Sequence, residues 1–182
     1  MAEQTEKKLE SKEIYKGRIV ELTLDTVELQ NGKTSTREVV HHNGGAAIVA
    51  VNEKGELALV RQYRYALRRQ MIEIPAGKIE LGEAPRKTAI RELKEETGCV
   101  AETFEEFGMV VPTCGYCTEI IYLFLATGLH ITQQNLDPDE FVDVFWVSID
   151  KAVEMVMLGE IDDSKTVAGI LKLKQKLDTD KN

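Results

Sequence analysis

Residues 77–99, GKIELGEAPRKTAIRELKEETGC, constrain this chain more than any other stretch, because they set glycines, an arginine and several glutamates at fixed spacing. A helix can begin at Pro85, whose missing N–H costs nothing in a first turn, and end at Gly98, which suits the left-handed position after a helix. On a helical wheel at about 100° per residue, Leu93, Thr97 and Ile90 spread with Ala89 over one side, and Glu92, Glu95 and Glu96 follow its edge. Three carboxylates in one turn repel one another, weakening the helix by about a few tenths of a kcal/mol per pair, so cations must offset them. Arg91 can satisfy one. For the others a divalent cation is the natural partner, since Mg²⁺ prefers carboxylate oxygens and keeps waters and substrate phosphates in its shell. A charge-rich helix taken alone is more often a solvated face, so the spacing of the whole stretch has to decide.

That spacing is Gly77, Glu83, Arg91-Glu92-Leu93, Glu95-Glu96 and Gly98-Cys99. It resembles the Nudix box, with every charged and glycine position of the motif filled. The departure is Cys99, where the family usually carries an aliphatic residue; a buried thiol behaves as a small hydrophobe. The resemblance implies the Nudix fold, an α/β (α+β) arrangement with a mixed β-sheet sandwiched between helices, here with an N-terminal antiparallel hairpin. It also implies that Glu92 and Glu96, helped by Glu95 and the Ala76 carbonyl, hold two or three Mg²⁺, with Mn²⁺ as the substitute. In the same reading Glu83 and Arg91 are mainly structural, and Arg91 supports catalysis by orienting the glutamates.

A chain of 182 residues suffices for one folded unit with a sizeable core. We divide it into residues 1–42, a tail and dimerisation hairpin, and 43–182, the catalytic domain. It contains no apolar run of membrane-spanning length. The start, MAEQTEKKLESK, lacks the apolar core of a signal peptide, and only three cysteines occur, so a cytoplasmic location is expected. A net charge of −8 argues against a nucleic-acid surface and strengthens the case for metal at a phosphate site.

Residues 1–13 read as a frayed tail. From Ile14 to His42 the pattern turns period-two about Asn31-Gly32, a hairpin signature. Strands are expected at 46–51, 57–64, 71–75, 107–111, 120–126 and 141–147, and amphipathic helices at about 149–158 and 164–177. Cys114-Gly-Tyr-Cys117 has redox spacing but precedes a β run where the redox motif would open a helix. His41, His42, His130 and Cys99 lack zinc-ligand spacing, and the histidines read as surface or strand-end residues.

Arg61, Arg64, Arg68 and Arg69 cluster before Met71. A solvated rim accounts for Arg68 and Arg69. Arg64 closes the run Val60-Arg-Gln-Tyr-Arg64, which is similar to a family segment whose last arginine contacts the substrate pyrophosphate, and a guanidinium fits phosphate bidentately. Pro112, Gly115 and Glu119 resemble the proline-bearing loop of Nudix enzymes that act on ADP-ribose, which implies ADP-ribose pyrophosphatase activity. Glu73 and Gly115 join Arg64 in the implied substrate-binding set. An acidic loop after the box, Leu136-Asp-Pro-Asp-Glu-Phe141, matches the one that supplies the general base, and Glu140 is chosen. The hairpin resembles one that crosses to a second copy in a homodimer, with Arg37 reaching the partner's pyrophosphate and Ile19 covering its adenine. The alternatives are a pyrophosphatase for another nucleotide sugar, a non-catalytic ADP-ribose sensor, and a redox protein using Cys114 and Cys117.

Overall fold

The computed structural model describes residues 4–136 and 141–180. Its contacts divide into two compact units, one of residues 1–44 with 113–119 and the other of residues 45–112 with 120–182.

The first unit is an antiparallel sheet of β1 (Lys7–Lys16), β2 (Glu21–Glu28) and β3 (Thr34–His41), in that order. The Asn31-Gly32 turn joins β2 to β3, with Leu29 N–H donating to the Lys33 carbonyl at 2.8 Å. Strand β1 corrects the expectation of a frayed tail. Every one of its residues is exposed, so it carries no apolar rhythm for a sequence reading to detect. On β2 the better covered face holds Thr23, Asp25 and Val27. Its polar members are satisfied locally: Thr23 bonds His41 at 2.9 Å, and the Ser11 hydroxyl donates to Asp25 at 2.5 Å. Residues 113–119 attach to β3 through Val40 N–H to the Tyr116 carbonyl at 2.7 Å and Thr118 N–H to the Val40 carbonyl at 2.9 Å.

The second unit holds β4 (Gly45–Ala50), β5 (Glu56–Arg64), β6 (Arg69–Glu73), β7 (Ala76–Lys78), α1 (Pro85–Thr97), β8 (Cys99–Val110), β9 (Ile121–Ile131), β10 (Val142–Ser148), α2 (Ile149–Met157) and α3 (Ser164–Thr179). A mixed sheet has the order β7-β4-β9-β8, with β4 and β9 parallel; an antiparallel sheet has the order β10-β5-β6. Strand β4 is buried from end to end, and its alternation supplies two cores. Ala46, Ile48 and Ala50 pack with Ala89 and Leu93 of α1, whereas Ala47 and Val49 pack with Ile170 and Leu173 of α3 and with Ala152 and Met155 of α2. The mixed sheet is thus sandwiched between helices, as expected.

Helix α1 spans the expected residues, and Gly98 ends it at φ +67°, its N–H donating to the Lys94 carbonyl at 2.9 Å. The wheel needs one correction: Ile90 is 46 % exposed, and Thr88 and Ala89 take the buried side with Leu93. Three strand limits differ as well, the first being β9, which runs on to Ile131, beyond the expected end at 126. Strand β8 begins at Cys99, immediately after the helix, but between there and Phe107 only Cys99 and Phe104 are buried, so its first half reads as polar. The run 71–75 is split: Pro75 has no N–H for a ladder, and the chain leaves β6 of one sheet to enter β7 of the other across Ile74-Pro75.

Candidate active site

The crossing at 73–77 is the backbone on which the site is assembled. Pro75 accepts from Ile48 N–H at 2.8 Å, and Ala76 and Gly77 pair with Ala47 and Ala46 of β4. Ala76 N–H donates to the Glu96 carboxylate at 2.9 Å. Gly77 approaches α1 so closely that an added Cβ would lie 1.9 Å from a Glu92 oxygen. The two box acids therefore sit against consecutive residues of this strap, and both are buried, Glu96 at 4 % exposure.

Arg91 organises the acids. Its Nη1 donates to Glu92 at 2.7 Å and to Glu95 at 2.9 Å, while Nη2 and Nε reach Glu83 at 3.3 and 3.4 Å. Partial burial opposes its charge, but the hydrogen bonds it donates to Glu83, Glu95 and Glu92, with the Glu92 charge, outweigh that and raise its pKa. Glu83 is held below the usual carboxylate range by Arg91 and by the Thr88 hydroxyl, which donates to it at 2.8 Å. This is the like-charge compensation that the sequence demanded.

At the other end of the strap, Glu73 is 2 % exposed and joined to Arg64, Nε at 2.6 Å and Nη2 at 2.7 Å. Lys165 Nζ donates to the same carboxylate. Burial pushes the Glu73 carboxyl upward, yet the Arg64 hydrogen bonds and the Lys165 charge prevail and leave it lowered. Because the folded value is below the ordinary one of about 4.3, the stability Glu73 contributes is complete above that pH and is lost as pH falls through the folded value. Urea unfolding below about pH 4 is accordingly expected to weaken more steeply with acid in the wild type than in Glu73→Gln. Parallel slopes would break the assignment.

The remaining expected residues lie elsewhere. Arg37 is opposite Asp25 on β3 and donates to Glu6, Nε at 2.9 Å, and to the Thr36 carbonyl. Ile19 is exposed between β1 and β2. Gly115 has open space around it, and Cys114 and Cys117 are free thiols in the turn after Thr113. Glu140 lies outside the described residues. Gln134 and Asn135, six and five residues ahead of it, donate to the Glu96 and Glu95 carbonyls. Sequence reasoning passed over these two, and over Lys165 and Thr166, whose one signal was a lysine in the first turn of an amphipathic helix.

The chain matches the family profile described as NUDIX domain over residues 41–168 and the Nucleoside diphosphate sugar hydrolase N-terminal domain over residues 6–40. It is a Nudix hydrolase. Among this hydrolase's relatives is the ADP-ribose pyrophosphatase of Bacillus subtilis (strain 168), 41 % identical over 97 % of either chain. The methanol dehydrogenase activator of Bacillus methanolicus is 43 % identical over 94 % of this chain and 95 % of the relative. The solved structure of an ADP compounds hydrolase superposes with a TM-score of 0.86 over 99 % of this chain and 98 % of the other at 18 % identity, a likeness of fold.

Nudix hydrolases use divalent metal, and the box residues of this one fit such an ion by donor chemistry. The cradle is all oxygen, two buried carboxylates against a backbone strap with no room for a side chain at Gly77. Among the described residues no three His, Cys, Asp or Glu side chains form a finished cage, since Arg91 and Ala76 engage the acids. None of the described helices is long and apolar enough to cross a membrane.

Proposed function

We propose that this Nudix hydrolase cleaves ADP-ribose with water to AMP and ribose 5-phosphate. The observation that carries the reading is the pair Glu92 and Glu96 buried on the Ala76–Gly77 strap, with Arg64 anchored three residues before it on Glu73. The choice of substrate draws on the full-length likeness to an ADP-ribose pyrophosphatase. Glu92, Glu96, Glu95 and the Ala76 carbonyl would hold Mg²⁺, which when bound neutralises the pyrophosphate and lowers the pKa of a coordinated water. Arg91 keeps the glutamates oriented. Arg64, its Nε and one Nη2 hydrogen already committed to Glu73, retains three N–H donors for a phosphate. Glu140 is our choice of general base; the chain leading to it is tied to the end of α1 at Gln134 and Asn135.

A hydrolysis screen with Mg²⁺ over ADP-ribose, GDP-mannose, other nucleotide sugars, dinucleotides and nucleoside triphosphates tests this, with products read by chromatography. ADP-ribose is expected to give the highest kcat/KM. A higher value for another nucleotide sugar would replace the substrate, and binding without turnover would make the protein a sensor. The relative named as a methanol dehydrogenase activator favours a second reading, in which the protein acts on a dehydrogenase. An unchanged rate of purified methanol dehydrogenase on addition of this protein would dismiss it.

The protein is further proposed to be a homodimer whose sites each use a partner's hairpin, with Arg37 and Ile19 as the contributed residues. The support is that Leu22 and Leu24 of β2 stay only half-buried and Ile19 is 53 % exposed, an apolar surface that a second chain would cover. Mixing Arg37→Ala with Glu92→Gln protein is expected to restore activity that both lack alone, since one site of each mixed dimer keeps both residues. No recovery after demonstrated subunit exchange would rule out the shared site.

A further inference from the structure

The first turn of α3 has no assigned role in the chemistry above, yet it carries a buried charge network. Asp163 caps the helix, accepting from Thr166 N–H at 3.0 Å and from the Thr166 hydroxyl at 2.5 Å. The same Asp163 oxygen accepts from Lys165 Nζ at 3.0 Å, and Thr166, fully buried, accepts in turn from Ile74 N–H at 2.9 Å. Lys165 itself is 7 % exposed, and its other partner is Glu73. Two cations, Arg64 and Lys165, therefore face two acids, Glu73 and Asp163, and the cluster balances.

A cap that only secured the helix would need Asp163 and Thr166. Burying a lysine costs several kcal/mol unless it is paired, so its place here calls for a purpose beyond the cap. The bonds supply one. Among the described residues Glu73 Oε1 accepts from Arg64, while Oε2 accepts from both Arg64 and Lys165, so Lys165 fixes the rotation of the carboxylate plane to which the guanidinium is forked. We propose that Lys165 is a positioning residue that, through Glu73, holds Arg64 edge-on so that its three uncommitted N–H groups are pre-set for a substrate phosphate. This rests on the reading of Arg64 as a phosphate contact. Without Lys165 the carboxylate keeps one cation and is free to turn, and the arginine turns with it; the strap stays fixed at Ile74 by Thr166 and at Ala76 by Glu96.

The test is steady-state kinetics on ADP-ribose with saturating Mg²⁺ for Arg64→Ala, Lys165→Met, the double variant and Lys165→Arg, with melting curves for each. Lys165→Met is expected to raise KM about tenfold or more with kcat changed less than about threefold. The double variant is expected to match the KM of Arg64→Ala, because a lysine that works through the arginine has nothing left to act on once it is gone. Lys165→Arg is expected to recover most of the loss. KM effects that multiply in the double variant would show that Lys165 acts independently and would overturn the proposal, as would a normal KM in Lys165→Met. If Arg64→Ala leaves KM unchanged, the phosphate reading of Arg64 falls and the proposal with it; if Arg64→Ala raises KM and Lys165→Met does not, only the proposal falls. If Lys165→Met does not fold, Lys165→Gln, which keeps a donor without the charge, carries the same comparison.

Discussion

Glu96→Gln is expected to lower kcat by about a thousandfold at saturating Mg²⁺ while the protein melts within a few degrees of the wild type. The two halves of that result come from different atoms. A glutamine oxygen can still accept the Ala76 N–H that Glu96 accepts at 2.9 Å, so the contact between α1 and the strap survives. What the amide lacks is formal charge, and a hard cation holding a pyrophosphate depends on carboxylate donors. Arg91 does not compensate, because its bonds run to Glu83, Glu92 and Glu95. A fall of less than tenfold, measured across a Mg²⁺ titration, would remove Glu96 from the metal set.

Gly77→Ala is expected to cost about a hundredfold in kcat with little loss of stability, although it adds only a single methyl group. The new Cβ would stand 1.9 and 2.5 Å from the two Glu92 oxygens, so something must move. What yields is the end of a flexible glutamate, since the atoms met are carboxylate rather than backbone, and Gly77 does not have the positive φ that would add strain. The carboxylate is displaced by more than an ångström, and a misplacement of about 1 Å is worth about 10² in rate. Urea unfolding and kcat on the same preparation decide it: unimpaired turnover, or collapse of the fold, would each contradict the cradle described here.

The box was legible because its residues are defined locally. Pro85, Gly98, and the acids between them obey rules of helix start, stop and periodicity that need no tertiary knowledge, and the helix formed where those rules put it. Legibility ended where burial is decided by other elements. Ile90 points off the buried stripe because β4 and β8 cover α1 on the side of Thr88, Ala89 and Leu93, and no wheel contains that choice. Strand β1, wholly exposed and rich in lysine and glutamate, has no buried face to mark it. The cluster of Arg64, Glu73, Asp163 and Lys165 joins residues about ninety positions apart, so nothing in the local sequence tied Arg64 and Glu73 to Lys165 and Asp163 until the strand and the helix cap met.

Residues 113–119 bear on how such proteins can be recombined. The two family profiles meet at the junction of residues 40 and 41, as though the N-terminal sheet were a cassette preceding an independent module. Yet the turn after Pro112 belongs by its contacts to that sheet, with Val40 bonded to both Tyr116 and Thr118 and His42 beside Glu119. A chimaera cut only at that junction would pair one homologue's β3 with another's loop and strand those backbone groups against mismatched partners. Inheritance of the sheet as a unit thus requires three crossovers, one near residue 44 and a pair bracketing the loop, so that sequence exchange between lineages is confined to partners in which both segments travel together.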